Sequence, residues 1–338
     1  MNTVKTNRIN LYNNLKFLLI ILVVVGHFID FDSSNIPVFQ SIFIYIYSFH
    51  MPLFIFVGGL FHKNENILKK CLKFITIGFL FKIINYLVQL IFTGNATFSV
   101  LSDIYAPWYM FALASFIAIT YLTKKCNKRY VIIISLIIAG LVGYIECVGD
   151  FLYLSRIIVF YPFYLLGTII DKEKLLNFTR KKWLKIFGLI FLIIWLYICF
   201  FHMEKVYFLR GFFTGRNSYI TKMTFIKSGI LYRYLSYIIN IIIGISIICL
   251  IPNKKIPVIT ILGNKTLQVY FWHWPIVNIL TFIGLNTILL TTITGKIIWL
   301  IIALILTFLL CLNVFEYPFK LITNLFNKVG DTYESNNN

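Results

Sequence analysis

Charge is scarce in this chain. Charged residues make up 13% of the 338 positions and hydrophobic ones 59%, with a mean hydropathy of +0.85, which excludes a soluble globular domain of this length. Cysteine is sparse and scattered: Cys71, Cys126, Cys147, Cys199, Cys249 and Cys311 form no CxxC pair and no metal-ligand spacing. No metal is therefore expected, and the cysteines read as apolar packing residues. Only Cys147 and Cys199 fall near one face, where a disulfide is a remote alternative. Glycine-rich phosphate loops, HExxH and GxSxG are absent, and with them the common signatures of soluble enzymes. No internal repeat and no second domain stand out. No small-residue cleavage site follows the first apolar run, so that run reads as an uncleaved span rather than a signal peptide.

What the chain does have is apolar runs, at about 16–33, 38–61, 74–93, 106–123, 130–149, 151–170, 183–201, 229–251, 267–284 and 297–318. Most reach the ~20 residues that a helix needs to cross the hydrocarbon core. The pattern predicts an all-α, polytopic transmembrane helix bundle of about ten spans, occupying residues 1–328, with a polar, disordered tail over 329–338. The formal charge of +19 could suggest nucleic acid, but the cations gather in alternate loops. Lys5, Arg8 and Lys16 precede the first span; Lys63, Lys69, Lys70 and Lys73 follow the second; Lys124, Lys125, Lys128 and Arg129 follow the fourth. The loop around Asp30 and Asp32 has no Lys or Arg, and neither has 93–107 or 146–150. By the positive-inside rule both termini are cytoplasmic, and no nucleic-acid partner is expected. The segment from His202 to Lys227 breaks the alternation: it should lie outside, yet it holds Lys205, Arg210, Arg216 and Lys222 among aromatic residues, as a functional loop would.

Ionisable groups inside hydrocarbon are expensive and mark pathways or reaction sites. In NLKFLLIILVVVGHFID, His27 follows Lys16 by eleven residues, which returns a helix to nearly the same face about 16 Å further along. The pair could equally be a snorkelling lysine and a histidine bonded to a neighbouring helix. In YSFHMPLFIFVGG, Pro52 should kink the second span and turn His50 inward, or leave His50 bonding a carbonyl that the proline frees. Arg156, in RIIVFYPFYLLG, stays charged and needs a partner or a wet cavity, with Glu146 or Asp150 as candidate partners. His273 lies between two tryptophans in LGNKTLQVYFWHWPI, where it could face a sugar or simply pack.

Taken in order, NNLKFLLIILVVVGHF, SFHMPLFIFVGG, PWYM at 107–110, RIIVFYPFYLLG and LGNKTLQVYFWHWPI resemble the integral-membrane acyltransferase-3 family, especially its fucose 4-O-acetylase-like branch. That family pairs a basic residue with a histidine eleven positions later, as Lys16 and His27 do. The resemblance implies transfer of an acyl group, usually acetyl, from cytoplasmic acyl-CoA to a hydroxyl of an extracytoplasmic glycan or lipid-linked sugar, in a bacterial plasma membrane. Two positions depart from the pattern. Asn13 stands where an aspartate is frequent and could still cap the helix. Leu113 stands where another branch has a glutamate, so a carboxylate-assisted histidine is unsupported.

On this reading His27 is the general base or carries the acyl group transiently, with His50 and Arg156 as further catalytic residues. Lys16, with Lys69, Lys70 or Lys73, would meet the phosphates of acetyl-CoA, and Trp108, His273, Arg210 and Arg216 would contact the acceptor. A transporter or flippase of a polysaccharide intermediate is the competing class, but the internal repeats frequent in transporters are missing.

Overall fold

Every apolar run folds as helix. The computed structural model describes residues 10–30, 36–102, 106–220 and 227–335; Lys5, Arg8, Asp32 and Lys222 fall outside them. The helices are α1 (Asn10–Asp30), α2 (Pro37–Tyr47), α3 (His50–Leu60), α4 (Ile67–Thr93), α5 (Trp108–Leu122), α6 (Lys128–Leu141), α7 (Leu154–Ile169), α8 (Lys172–Thr179) and α9 (Lys182–Phe201). They continue with α10 (Met203–Val206), α11 (Arg210–Thr214), α12 (Gly229–Leu250), α13 (Pro257–Leu262), α14 (Thr266–Phe282), α15 (Leu285–Leu289), α16 (Ile293–Leu309) and α17 (Tyr317–Ser335). Among the described residues there is no strand, only an isolated bridge between Ser102 and Phe151.

Five segments are long and apolar enough to cross a bilayer: α1, α2 with α3, α4, α9 and α12. Two more qualify if α7 with α8, bent by 94°, and α16 with the following 313–326 segment, bent by 68°, each count as one span. The ten expected runs are thus all helical, but α5, α6 and α14 have 15, 14 and 17 residues and fall short of the length test. The shortening of α6 has a local cause, because the Tyr219 ring is wedged against Gly143 where a side chain would otherwise stand. The helix α17 runs to Ser335 and so enters the polar tail expected to be disordered; no proline interrupts it there.

Burial separates core helices from peripheral ones. In α1, 72% of the apolar window is buried, against 28% in α9, whose Ile186, Ile190, Ile193 and Tyr197 stay exposed. An apolar surface of that extent is the lipid-facing side of a membrane bundle. The core helix α1 packs against α2, α3, α13, α14 and α16. Asn13 is not the expected cap, because it already lies within α1. Neighbouring Asn14 instead ties α1 to the basic 252–255 loop, donating to the carbonyls of Pro252 and Lys254 at 2.9 and 3.1 Å and accepting from Thr260 at 2.6 Å.

Pro52 acts one turn ahead of itself. It lacks an N–H for the carbonyl of Ser48 and crowds that carbonyl, so the helix breaks at Ser48–Phe49 and Pro52 falls in the first turn of α3. Trp195 of α9 pins the break by donating to the Ser48 hydroxyl at 3.0 Å. Beyond the break, α3 meets α7 closely at Gly59 and Gly167, where an added Cβ would strike the partner backbone at Tyr164 and Phe56. This contact holds α3 beside α7, and with it His50 on the same side as Arg156.

Candidate active site

Near the end of α1, His27 and Asp30 lie one turn apart on one face. The break between α2 and α3 brings in Tyr47, His50 and Met51, and the start of α5 brings in Trp108. Arg156 and Phe160 come from α7, Phe213 and Thr214 from α11, and Tyr270 from α14. Together with Arg216 these side chains line one cavity of about 70 Å³. At about 10–15 Å³ of such space per water, it has room for a handful of waters or a small polar group.

The three imidazoles differ in what they can do. His50 bonds the carbonyl of Ile46 through Nδ1 at 2.9 Å, and His273 bonds that of Val269 through Nδ1 at 3.2 Å. A carbonyl can only accept, so both carry hydrogen on Nδ1 and leave Nε2 as the bare, basic nitrogen. The Nε2 of His273 is buried and without a partner, and so is Nδ1 of His27. Their ring centroids are 5.1 Å apart, with Trp274 edge-on to His27 at 4.8 Å. With Nδ1 sealed, Nε2 is the His27 nitrogen open to the cavity.

Two arginines face these rings. Arg156 is only 5% exposed and Asp150, at 25%, lies 3.4 Å from it; the other oxygen of Asp150 lies 3.3 Å from Arg216. Glu146, the alternative partner weighed for Arg156, does not take that place. The guanidinium of Arg156 also sits 5.0 Å over the Trp108 ring, which stacks on Phe160. Arg210 stands just outside the cavity, paired with Asp30 at 2.8 Å and lying over Phe43. The His202–Lys227 segment, as far as it is described, is therefore part of the cavity wall, with Phe212, Phe213 and Tyr219 buried.

The remaining expected residues lie elsewhere. His273 is fully buried behind His27; Trp272 is tied to the carbonyl of Phe315, so neither side chain offers a sugar platform. Lys16, at the opposite end of α1, lies 5.8 Å from the Phe61 ring, which Lys172 approaches to 4.6 Å. Lys70 is bound to the carbonyl of Lys63, while Lys73 lines a separate pocket of about 310 Å³ with Lys265 and Lys320. Leu113 lies beside Gly58, away from His27, so no acidic residue assists from that position. All six cysteines are free, including Cys147 and Cys199.

Some residues of the site escape a reading by sequence alone. Asp30 was signalled by its place one turn after His27, and Tyr270 by its place one turn before His273. A third buried cation, Arg233, is 1% exposed in α12, where it bonds Tyr219 and the carbonyl of Phe212. Lys82 is 4% exposed and donates to Tyr153 at 2.9 Å.

A bundle of apolar helices that closes two basic side chains and two imidazoles around one small cavity, with a third imidazole packed behind them, has the make-up of a membrane-embedded transferase. The chain belongs to the acyltransferase-3 family, whose model, described as an acyltransferase domain, matches residues 9–316. It is a multi-pass membrane acyltransferase. Comparison with curated proteins and with solved structures returned no match.

Proposed function

We propose that the protein is an O-acetyltransferase of the bacterial plasma membrane that takes an acetyl group from cytoplasmic acyl-CoA and places it on a hydroxyl of an extracytoplasmic glycan or lipid-linked sugar. In this reading about ten segments cross the bilayer, both termini are cytoplasmic, and the Lys16 end of α1 faces the donor. The observation that carries it is the convergence of His27, His50, Arg156 and Arg216 on one small cavity.

The open Nε2 of His27 takes the proton of the acceptor hydroxyl as its oxygen attacks the thioester carbonyl. Arg156 faces the negative charge that develops on the carbonyl oxygen, held in place by Asp150 and the Trp108 ring. Collapse of the intermediate breaks the carbon–sulfur bond, and the departing thiolate recovers the proton from His27, giving CoA and the ester. His273 is the candidate for what a carboxylate supplies elsewhere: its ring lies 5.1 Å from that of His27, and a rearrangement that let its bare Nε2 accept from Nδ1–H of His27 would fix the tautomer in which Nε2 is the base. In the route through an acyl-enzyme, the same nitrogen attacks the thioester first.

The test is vesicle reconstitution with acetyl-CoA on one side and glycan oligosaccharides of different classes on the other. Acceptor-dependent release of CoA with formation of an O-acetyl ester supports the reading; translocation of the glycan without ester formation overturns it.

A further inference from the structure

A second cavity, of about 240 Å³, opens between α3, α7, α8 and α12 and is lined by Leu53, Phe56, Phe163, Leu166, Phe178 and Asn240 among others. All but Asn240 are apolar in that group. Asn240 is 4% exposed, its Oδ1 is sealed, and its side chain makes no hydrogen bond. An unpaired amide in a hydrocarbon setting is costly, and its free N–H groups call for a ligand with a hydrogen-bond acceptor.

The cleft runs beside α12 from Asn240 to Ile248. At one end Pro52 follows Met51 of the catalytic cavity, and Tyr237, one turn from Asn240, donates to the carbonyl of Val159, the neighbour of Phe160. At the other end Ile248 and Phe178 close it, about 12 Å from Asn240 along α12. Arg180, two residues after Phe178 in the chain, has a buried Nη2 with no partner. One ligand would answer all three features: an anionic head at Arg180, an aliphatic stem along the apolar walls, and a secondary amide at Asn240.

We propose that this cleft seats the pantetheine arm of the acyl-CoA donor, with an amide carbonyl of the arm accepting from the Asn240 side-chain nitrogen, a phosphate on Arg180, and the thioester delivered beside His50. The assignment rests on the acyl-CoA reading above. The pocket of Lys73, Lys265 and Lys320, formed by α4, α14 and α17, is the rival seat for the phosphates.

Binding of CoA, pantetheine and adenosine 3′,5′-bisphosphate to the full-length protein in nanodiscs separates the possibilities. Asn240→Leu should weaken CoA and pantetheine by about tenfold or more while leaving the bisphosphate unchanged, which also shows that the variant is folded. Gly244→Leu should do the same by filling the cleft, since a Cβ there already lies 3.6 Å from Leu53. Arg180→Gln should weaken CoA and the bisphosphate but not pantetheine. CoA binding unchanged in both Asn240→Leu and Gly244→Leu would overturn the assignment and leave the cleft to a bilayer lipid. Loss of bisphosphate binding in Lys73→Ala with Lys320→Ala, but not in Arg180→Gln, would overturn it in favour of the rival pocket. A wild-type protein that binds no CoA would overturn the donor reading itself.

Discussion

Replacing Arg156 by alanine separates a catalytic guanidinium from a structural one, because its ion-pair partner has a second cation. Asp150 keeps Arg216 at 3.3 Å when Arg156 is removed, and at 25% exposure it is also reached by solvent, so no buried carboxylate is stranded. Among the contacts described, folding loses the ion pair at 3.4 Å and the contact with the Trp108 ring, each a term of about 1–2 kcal/mol. Transition-state stabilisation loses far more: a donor aimed at the developing oxyanion is worth about 10²–10³ in rate. Arg156→Ala should therefore stay folded, bind CoA nearly as well as wild type, and turn over 100-fold or more slowly. Arg156→Lys keeps the charge without the planar fork and should fall in between. The assay is acceptor-dependent CoA release, run beside thermal unfolding and a CoA titration on the same preparations. A rate within fivefold of wild type would refute the role, and so would parallel losses of turnover, binding and folded protein.

Three further outcomes are expected. Lys16→Ala should weaken CoA binding more than Lys16→Arg, since a cation near phosphate is what the site needs; equal affinity by titration would remove Lys16 from the donor site. In intact cells the exposed Cys147 should react with a membrane-impermeant thiol reagent and the exposed Cys126 should not, and the reverse labelling would invert the orientation. His62, outside the spans, donates from Nε2 to Asn64 and accepts from the Tyr164 hydroxyl through Nδ1, both at 2.9 Å. Burial lowers its pKa below 6.5, outweighing the bond to Asn64, so its contribution to stability is complete above that value and is lost as pH falls through the lowered pKa. Thermal unfolding from pH 7.5 to 5 should thus drop more in wild type than in His62→Gln, and identical profiles would contradict the assignment.

The helical class and the key polar positions were legible because a membrane leaves little room for camouflage. His27, His50 and Arg156 stood out as ionisable residues in apolar runs, and all three line one cavity. Lys82 and Arg233 sit in comparable runs, yet they are satisfied by Tyr153 and Tyr219, and a lone sequence does not distinguish a satisfied cation from a poised one. The kink at Pro52 was readable, whereas the helix restart after Asp171, whose carboxylate caps α8 through Glu173 and Lys174, was not read. Which rings meet was not readable. That His273 packs beside His27 rather than facing a sugar depends on the registers of α1 and α14, which packing fixes and periodicity does not. Asn240 gave no signal because a single amide in an apolar helix becomes informative only when its lack of a partner is seen.

His27 carries the central claim, and one variant tests it most directly. Purified His27→Ala, folded and binding CoA like wild type, should release no CoA from acetyl-CoA in the presence of an acceptor that wild type acetylates. Turnover at the wild-type rate by that same preparation would contradict the account.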